Sequence, residues 1–92
     1  MTQLSSKQQI GTVFHIIESA IERRDWETAR RWVYVFDRAR RRIGPEWREP
    51  QLKASIGHLL DALDRASEAS IRQRLILCRS NLPQSRGRSL VQ

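Results

Sequence analysis

The sequence predicts an all-α fold: an antiparallel helical hairpin followed by a third long helix that bends or breaks into a short fourth, giving a three- to four-helix bundle. Three observations carry this. Apolar residues recur at steps of three and four from Ile10 to Leu82, the spacing that lines up one face of a helix. Only four glycines and three prolines interrupt the 92 residues, so few breaks are available. Helix-start residues precede the apolar runs: Ser5 and Ser6, Asp25, and Pro50.

The first helix is expected to start at Ser5 and Ser6, each followed three residues later by glutamine, Gln8 and Gln9. In such a capping box the hydroxyl and the amide satisfy otherwise unpaired backbone N–H groups. Ile10, Val13, Phe14, Ile17, Ala20 and Ile21 then share a face, with Lys7, Glu18 and Glu22 elsewhere. Asp25 offers a side-chain acceptor for a second helix start, and Glu27 suits the positive end of that helix's dipole. The two helices meet with almost no loop.

At about 100° per residue, Trp26, Ala29, Trp32, Val33, Phe36, Ala39 and Ile43 fall in one sector of helix two, facing helix one. Arg23, Arg30, Arg31, Arg38, Arg41 and Arg42 take the opposite sector, with Glu27 and Tyr34 among them. Gly44-Pro45 is expected to end this helix, glycine as a left-handed cap and proline as a residue that cannot continue the ladder. Gly44 to Pro50 reads as a linker, with Trp47 pinned to the core. Pro50 opens helix three, whose apolar side is Leu52, Ile56, Leu59, Leu60, Leu63 and Ala66. Beyond Ser67-Glu68-Ala69-Ser70 the apolar set becomes Ile71, Leu75, Cys78 and Leu82, displaced by roughly a quarter turn on a straight helix. Hence the expected bend or break. Residues 1–82 form a single helical domain on this reading, and 83–92 a flexible basic tail.

A chain this short buries a modest core, and a deep catalytic cleft is not expected. The 17 Lys+Arg against 10 Asp+Glu give a net charge of +7, which draws anionic partners without specifying one. A lone Cys78 cannot form an internal disulfide and fits a reducing compartment. The segment MTQLSSKQQIG lacks the apolar run of a signal peptide, and no run reaches the roughly 20 residues of a membrane span. The expected location is the cytoplasm.

Chemistry is sparse. His15 and His58 are far apart and neither has a second ligand at metal spacing, so no metal and no cofactor is expected. Asp61, Asp64 and Glu68 form an acidic stripe, yet Asp61 precedes Arg65 and Glu68 precedes Arg72 by four residues, as in solvated helix pairs. With no glycine-rich phosphate loop and no nucleophile motif, an enzyme is not expected.

Two surfaces remain as candidates. Arg30, Arg31, Tyr34, Arg38, Arg41 and Arg42 form a face for an anionic partner, an acidic protein or nucleic acid; its plain reading is a solvated charged face, because Glu27 and Asp37 sit within reach of Arg30, Arg31 and Arg41 as local pairs and 15 of the 17 basic residues are arginine, as coding composition alone produces. The second surface is apolar. Ile71, Leu75, Ile76, Leu77 and Leu82 put hydrophobes on more than one side, which either complete the core or a homodimer seam, or make the last helix detachable over a groove that binds an amphipathic partner segment. On the second alternative, a charge at Ile71 or Leu75 releases a protein partner without unfolding the first hairpin.

The hairpin IIESAIERRDWETARRWVYVFDRARRRI, a proline-containing joint, and LKASIGHLLDALDRASEASIRQRLILCRSNLPQSRGRSLV resemble the FliT family of flagellar export chaperones. Asp25-Trp26 stands at the junction of the first two helices, Ile71-Arg72-Gln73-Arg74-Leu75 in the last helix, and Arg86-Gly87-Arg88 near the end. The resemblance spans roughly Ile10 to Val91. It implies a cytoplasmic, non-enzymatic chaperone that holds a filament-cap subunit before export and touches the export ATPase or a flagellar transcription activator. It places partner binding on the groove beside helix three and on the last helix, with Leu59, Leu63, Ile71 and Leu75 as contact positions. The alternative is a basic helical accessory protein, of the kind encoded by a phage or plasmid, that inhibits or binds nucleic acid or a nucleic-acid enzyme.

Overall fold

In the computed structural model, residues 6–83 are described. Four helices follow one another along the chain: α1 Ser6–Glu22, α2 Trp26–Arg40, α3 Pro50–Arg65 and α4 Glu68–Ser80, with one 3-10 turn, Pro45–Arg48, between α2 and α3. The expected break in the third helix is real. The proposed capping box involves Ser5, which lies outside the described residues, as does the expected tail beyond Pro83.

Each helix contributes one buried stripe at helical spacing. Ile10, Phe14, Ile17 and Ile21 come from α1; Ala29, Val33 and Phe36 from α2; Leu52, Ile56, Leu59 and Leu63 from α3; Ile71 and Cys78 from α4. These residues, with Trp47 and Leu82, form one continuous cluster, and Trp26, Trp32, Ala39, Ile43 and Leu75 pack against its edge. Phe14 and Phe36 lock α1 to α2, their rings 5.4 Å apart and tilted by 57°, within the favoured range for aromatic pairs. The chain therefore makes two hairpins, α1–α2 and α3–α4, joined where α2 lies on α3.

Both hairpins turn by the same device. At the end of α1, the Arg24 N–H donates to the Ile21 carbonyl at 3.0 Å and the Asp25 N–H to the Ala20 carbonyl at 2.9 Å. At the end of α3, the Ala66 N–H donates to Leu63 at 3.1 Å and the Ser67 N–H to Ala62 at 3.4 Å. This pair of back-bonds is a Schellman motif and requires a left-handed residue. Arg24, with φ of 59°, and Ala66, with φ of 52°, fill that position, where glycine is usual because a Cβ is crowded there. Ala66 is thus an exposed cap and not part of the apolar stripe the sequence suggested. Asp25 caps α2 as expected, accepting the Thr28 N–H at 3.2 Å.

The end of α2 differs from expectation. The helix stops at Arg40, and Gly44 has an extended φ of 175°. Its conformation is one any residue adopts, so the termination lies elsewhere. Arg40 belongs to the buried stripe, at steps of four, three and four after Ala29, Val33 and Phe36, and its side chain is only 2% exposed. Its Nε and Nη2 reach Asp37 Oδ1 at 2.8 and 2.7 Å, and Nη1 donates to the Trp47 carbonyl at 2.9 Å. With its fork satisfied on both sides, this arginine ties α2 to the 3-10 turn and buries Trp47 beside it.

Candidate functional site

The apolar candidate surface divides sharply. Leu59, Leu63 and Ile71 are core residues, and Leu75 is half-buried at the edge of the same cluster. Leu59 and Leu63 of α3 and Ile71 of α4 belong to one buried cluster, with Leu75 packed against it. In the closed fold they are therefore not surface contacts. Ile71 is buried in one core with Ile17, Ile21 and Val33, so a charge placed there is expected to disturb that shared core as well as any partner contact.

What α4 does present outward is a pair of residues the sequence grouped without separating: Ile76, 65% exposed, and Leu77, 43% exposed. Adjacent helical residues point about 100° apart, so the two face different sides of α4. Ile76 and Leu75 line an open cleft of about 320 Å³ between α1 and α4, with Ile21 in the floor and His15, Glu18, Arg72 and Arg79 around the rim. Arg79 Nη1 spans this cleft to Glu18 Oε2 at 2.9 Å. The other clamp on α4 is at its start, where Arg24 Nε meets Glu68 Oε1 at 2.8 Å and brings the two hairpin turns side by side. Exposed pairs of this kind contribute at most about 1 kcal/mol each. Buried Ile71 and Cys78 on α4 and Leu82 just past its end, at spacing i, i+7, i+11, also hold it, as does the Asn81 side-chain amide donating to Ser55 Oγ of α3.

The arginine face is also sorted by the fold. Arg30 crosses to Asp64 of α3 at 2.7 Å and Arg41 reaches Asp37 at 2.8 Å, while Arg31 approaches Glu27 only to 3.9 Å. Arg38 and Arg42 make no ion pair among the described residues, and Tyr34 lies four residues before Arg38, 54% exposed. The face named from the sequence thus splits into a half neutralised by α2 and α3 carboxylates and an outward half of Arg31, Tyr34, Arg38 and Arg42. The acidic stripe behaves as expected in part: Asp61–Arg65 and Glu68–Arg72 are i,i+4 pairs at 3.4 Å. Asp64 and Glu68 do more, joining the two hairpins.

Sequence reasoning missed Arg40. Its phase relative to Ala29, Val33 and Phe36 carried the signal, but its charge argued for solvent. The Cys78 thiol is pushed up to about 12 by burial, with Arg40 acting weakly in the opposite sense, so it is held as an inert thiol. His15 and His58 are both exposed. Among the described residues no group of three or more His, Cys, Asp or Glu is placed to hold a metal ion, and no helix is long and apolar enough to cross a membrane.

Comparison with protein-family models, with curated proteins and with solved structures finds no match to this chain.

Proposed function

We propose that the chain is a non-enzymatic protein-binding module of the export-chaperone kind, which shields an apolar segment of a protein partner at the α1–α4 cleft. The observation that carries this reading is the exposure of Ile76, which with Leu75 lines a cleft that has the buried Ile21 in its floor. An apolar side chain left two-thirds exposed beside a concave apolar surface is well placed to be buried by another molecule. Deeper engagement follows the same route. A partner helix carrying apolar residues at i, i+7 and i+11 substitutes for Ile71, Cys78 and Leu82 and rests on Leu59 and Leu63. It must then replace roughly 3–6 kcal/mol of apolar burial for Ile71 and Leu82 alone, at about 1.5–3 kcal/mol per large side chain.

The test is capture from a nuclease-treated lysate with three forms of the chain. A partner held by the unsubstituted chain and by Arg38→Glu/Arg42→Glu, yet lost with Ile76→Asp/Leu77→Asp, supports the reading. Both positions of the second variant are exposed, so its circular dichroism and melting curve should match those of the parent. Loss with the arginine variant and retention with the apolar one overturns it. The second reading, a basic accessory protein for nucleic acid, rests on the outward stripe of Tyr34, Arg38 and Arg42, and is favoured where the lysate without nuclease yields nucleic acid that Arg38→Glu/Arg42→Glu no longer holds. Binding of that kind falls steeply with salt.

A further inference from the structure

A second concave surface lies on the opposite side of α1. It is a groove of about 360 Å³ between α1 and α2, floored by Ile10, Val13, Ala39 and Ile43 and walled by Val35 and Arg42. Val35 is one of the few large exposed hydrophobes. Around α2, at about 100° per residue, Val35, Arg42, Arg31 and Arg38 follow one another within some 60° of arc. An apolar trough therefore has one guanidinium group, that of Arg42, in its wall, and those of Arg38 and Arg31 on the adjoining arc of α2. Among the described residues no carboxylate lines it. The contrast with the other side of α2 is sharp, because there Asp37 and Asp64 neutralise Arg40, Arg41 and Arg30.

We infer that this groove docks an acidic amphipathic helix from a protein partner, its apolar edge on Val13, Val35 and Ile43 and its carboxylates on Arg31, Arg38 and Arg42. The argument is charge complementarity joined to shape. Three guanidinium groups without strong internal partners attract any anion, but phosphate alone leaves the trough and Val35 in water. A helix with apolar and acidic edges satisfies both. Its geometry is fixed by α2: Arg31, Arg38 and Arg42 are separated by seven and four residues, about 10 and 6 Å at 1.5 Å per residue. A helix lying alongside meets them with acidic residues at the same two spacings. This surface is separate from the α1–α4 cleft and does not depend on what binds there.

The test uses the full chain, isotope-labelled, titrated in solution with a helical 18-residue peptide. The peptide carries leucines at i, i+3, i+4 and i+7 and glutamates spaced by seven and four residues. A scrambled peptide of equal composition and an 18-base-pair duplex serve as competing probes. Saturable binding at about 10–100 μM is expected, with amide shifts confined to residues around Val13, Val35, Ala39 and Ile43. Arg38→Glu/Arg42→Glu and Val35→Asp should each weaken it by about tenfold or more, whereas Arg65→Glu, an exposed charge reversal on α3, should change it by less than about twofold. Unchanged melting curves keep these effects local. Equal binding of the scrambled peptide, indifference to Val35→Asp, displacement of the peptide by the duplex, or no saturation overturns the inference.

Discussion

Removing the Arg40 fork tests most directly how the bundle is held. Arg40→Ala deletes two contacts to Asp37 at 2.7–2.8 Å and one to the Trp47 carbonyl at 2.9 Å, all from a side chain that is 2% exposed. The stranded Trp47 carbonyl loses its partner, a cost of about 1–3 kcal/mol for a buried acceptor. Loss of the packed aliphatic stem adds about 1 kcal/mol. Asp37 is not stranded, because it is partly exposed and keeps Arg41 at 2.8 Å. The total of about 3 kcal/mol therefore falls at the lower end of the 3–5 kcal/mol typical when one partner of a buried pair is removed. Arg40→Lys retains the charge but reaches only one of the two acceptors, so it should cost about half as much. Urea unfolding followed by tryptophan fluorescence measures both, since Trp47 sits at the lost contact. An Arg40→Ala cost below about 1 kcal/mol, or a lysine variant equal to the parent, would refute the assignment of Arg40 as the tie between α2 and the 3-10 turn.

Three further outcomes follow from local geometry. Ala66→Gly should raise stability by about 0.5–1 kcal/mol by relieving the left-handed Cβ, whereas Arg24→Gly gains the same backbone relief but loses the Glu68 bridge and should be near neutral; denaturant midpoints decide. Cys78 should resist thiol reagents at pH 8 in the native chain and react freely in urea. Its folded pKa is raised, so the thiol form is the stable one: its contribution is intact below the unfolded value of about 8.5 and is lost as pH climbs toward about 12, a slope that Cys78→Ala should remove. At Asp25 the Thr28 hydrogen bonds hold the carboxyl below its usual range, so its support of α2 is present above the unfolded pKa and disappears as pH falls through the folded one; Asp25→Asn should keep the cap and flatten that acid limb of the stability curve.

The four amphipathic stretches, the Asp25 cap and the separation of arginines from apolar residues on α2 were legible in the sequence, because each depends on spacings within one helix. So was the discontinuity near Ser67, where the apolar phase shifts. Periodicity orders residues around an axis, but it does not say which neighbouring helix covers a given arc. Contacts between helices decided the rest. Asp64 and Glu68 reached across to Arg30 and Arg24, Arg40 entered the core because Asp37 and the Trp47 carbonyl met its charge, and Ile71 was drawn in while Ile76 was left out. Such outcomes turn on whether a partner from a distant segment compensates desolvation, and that partner exists only once the two hairpins have packed.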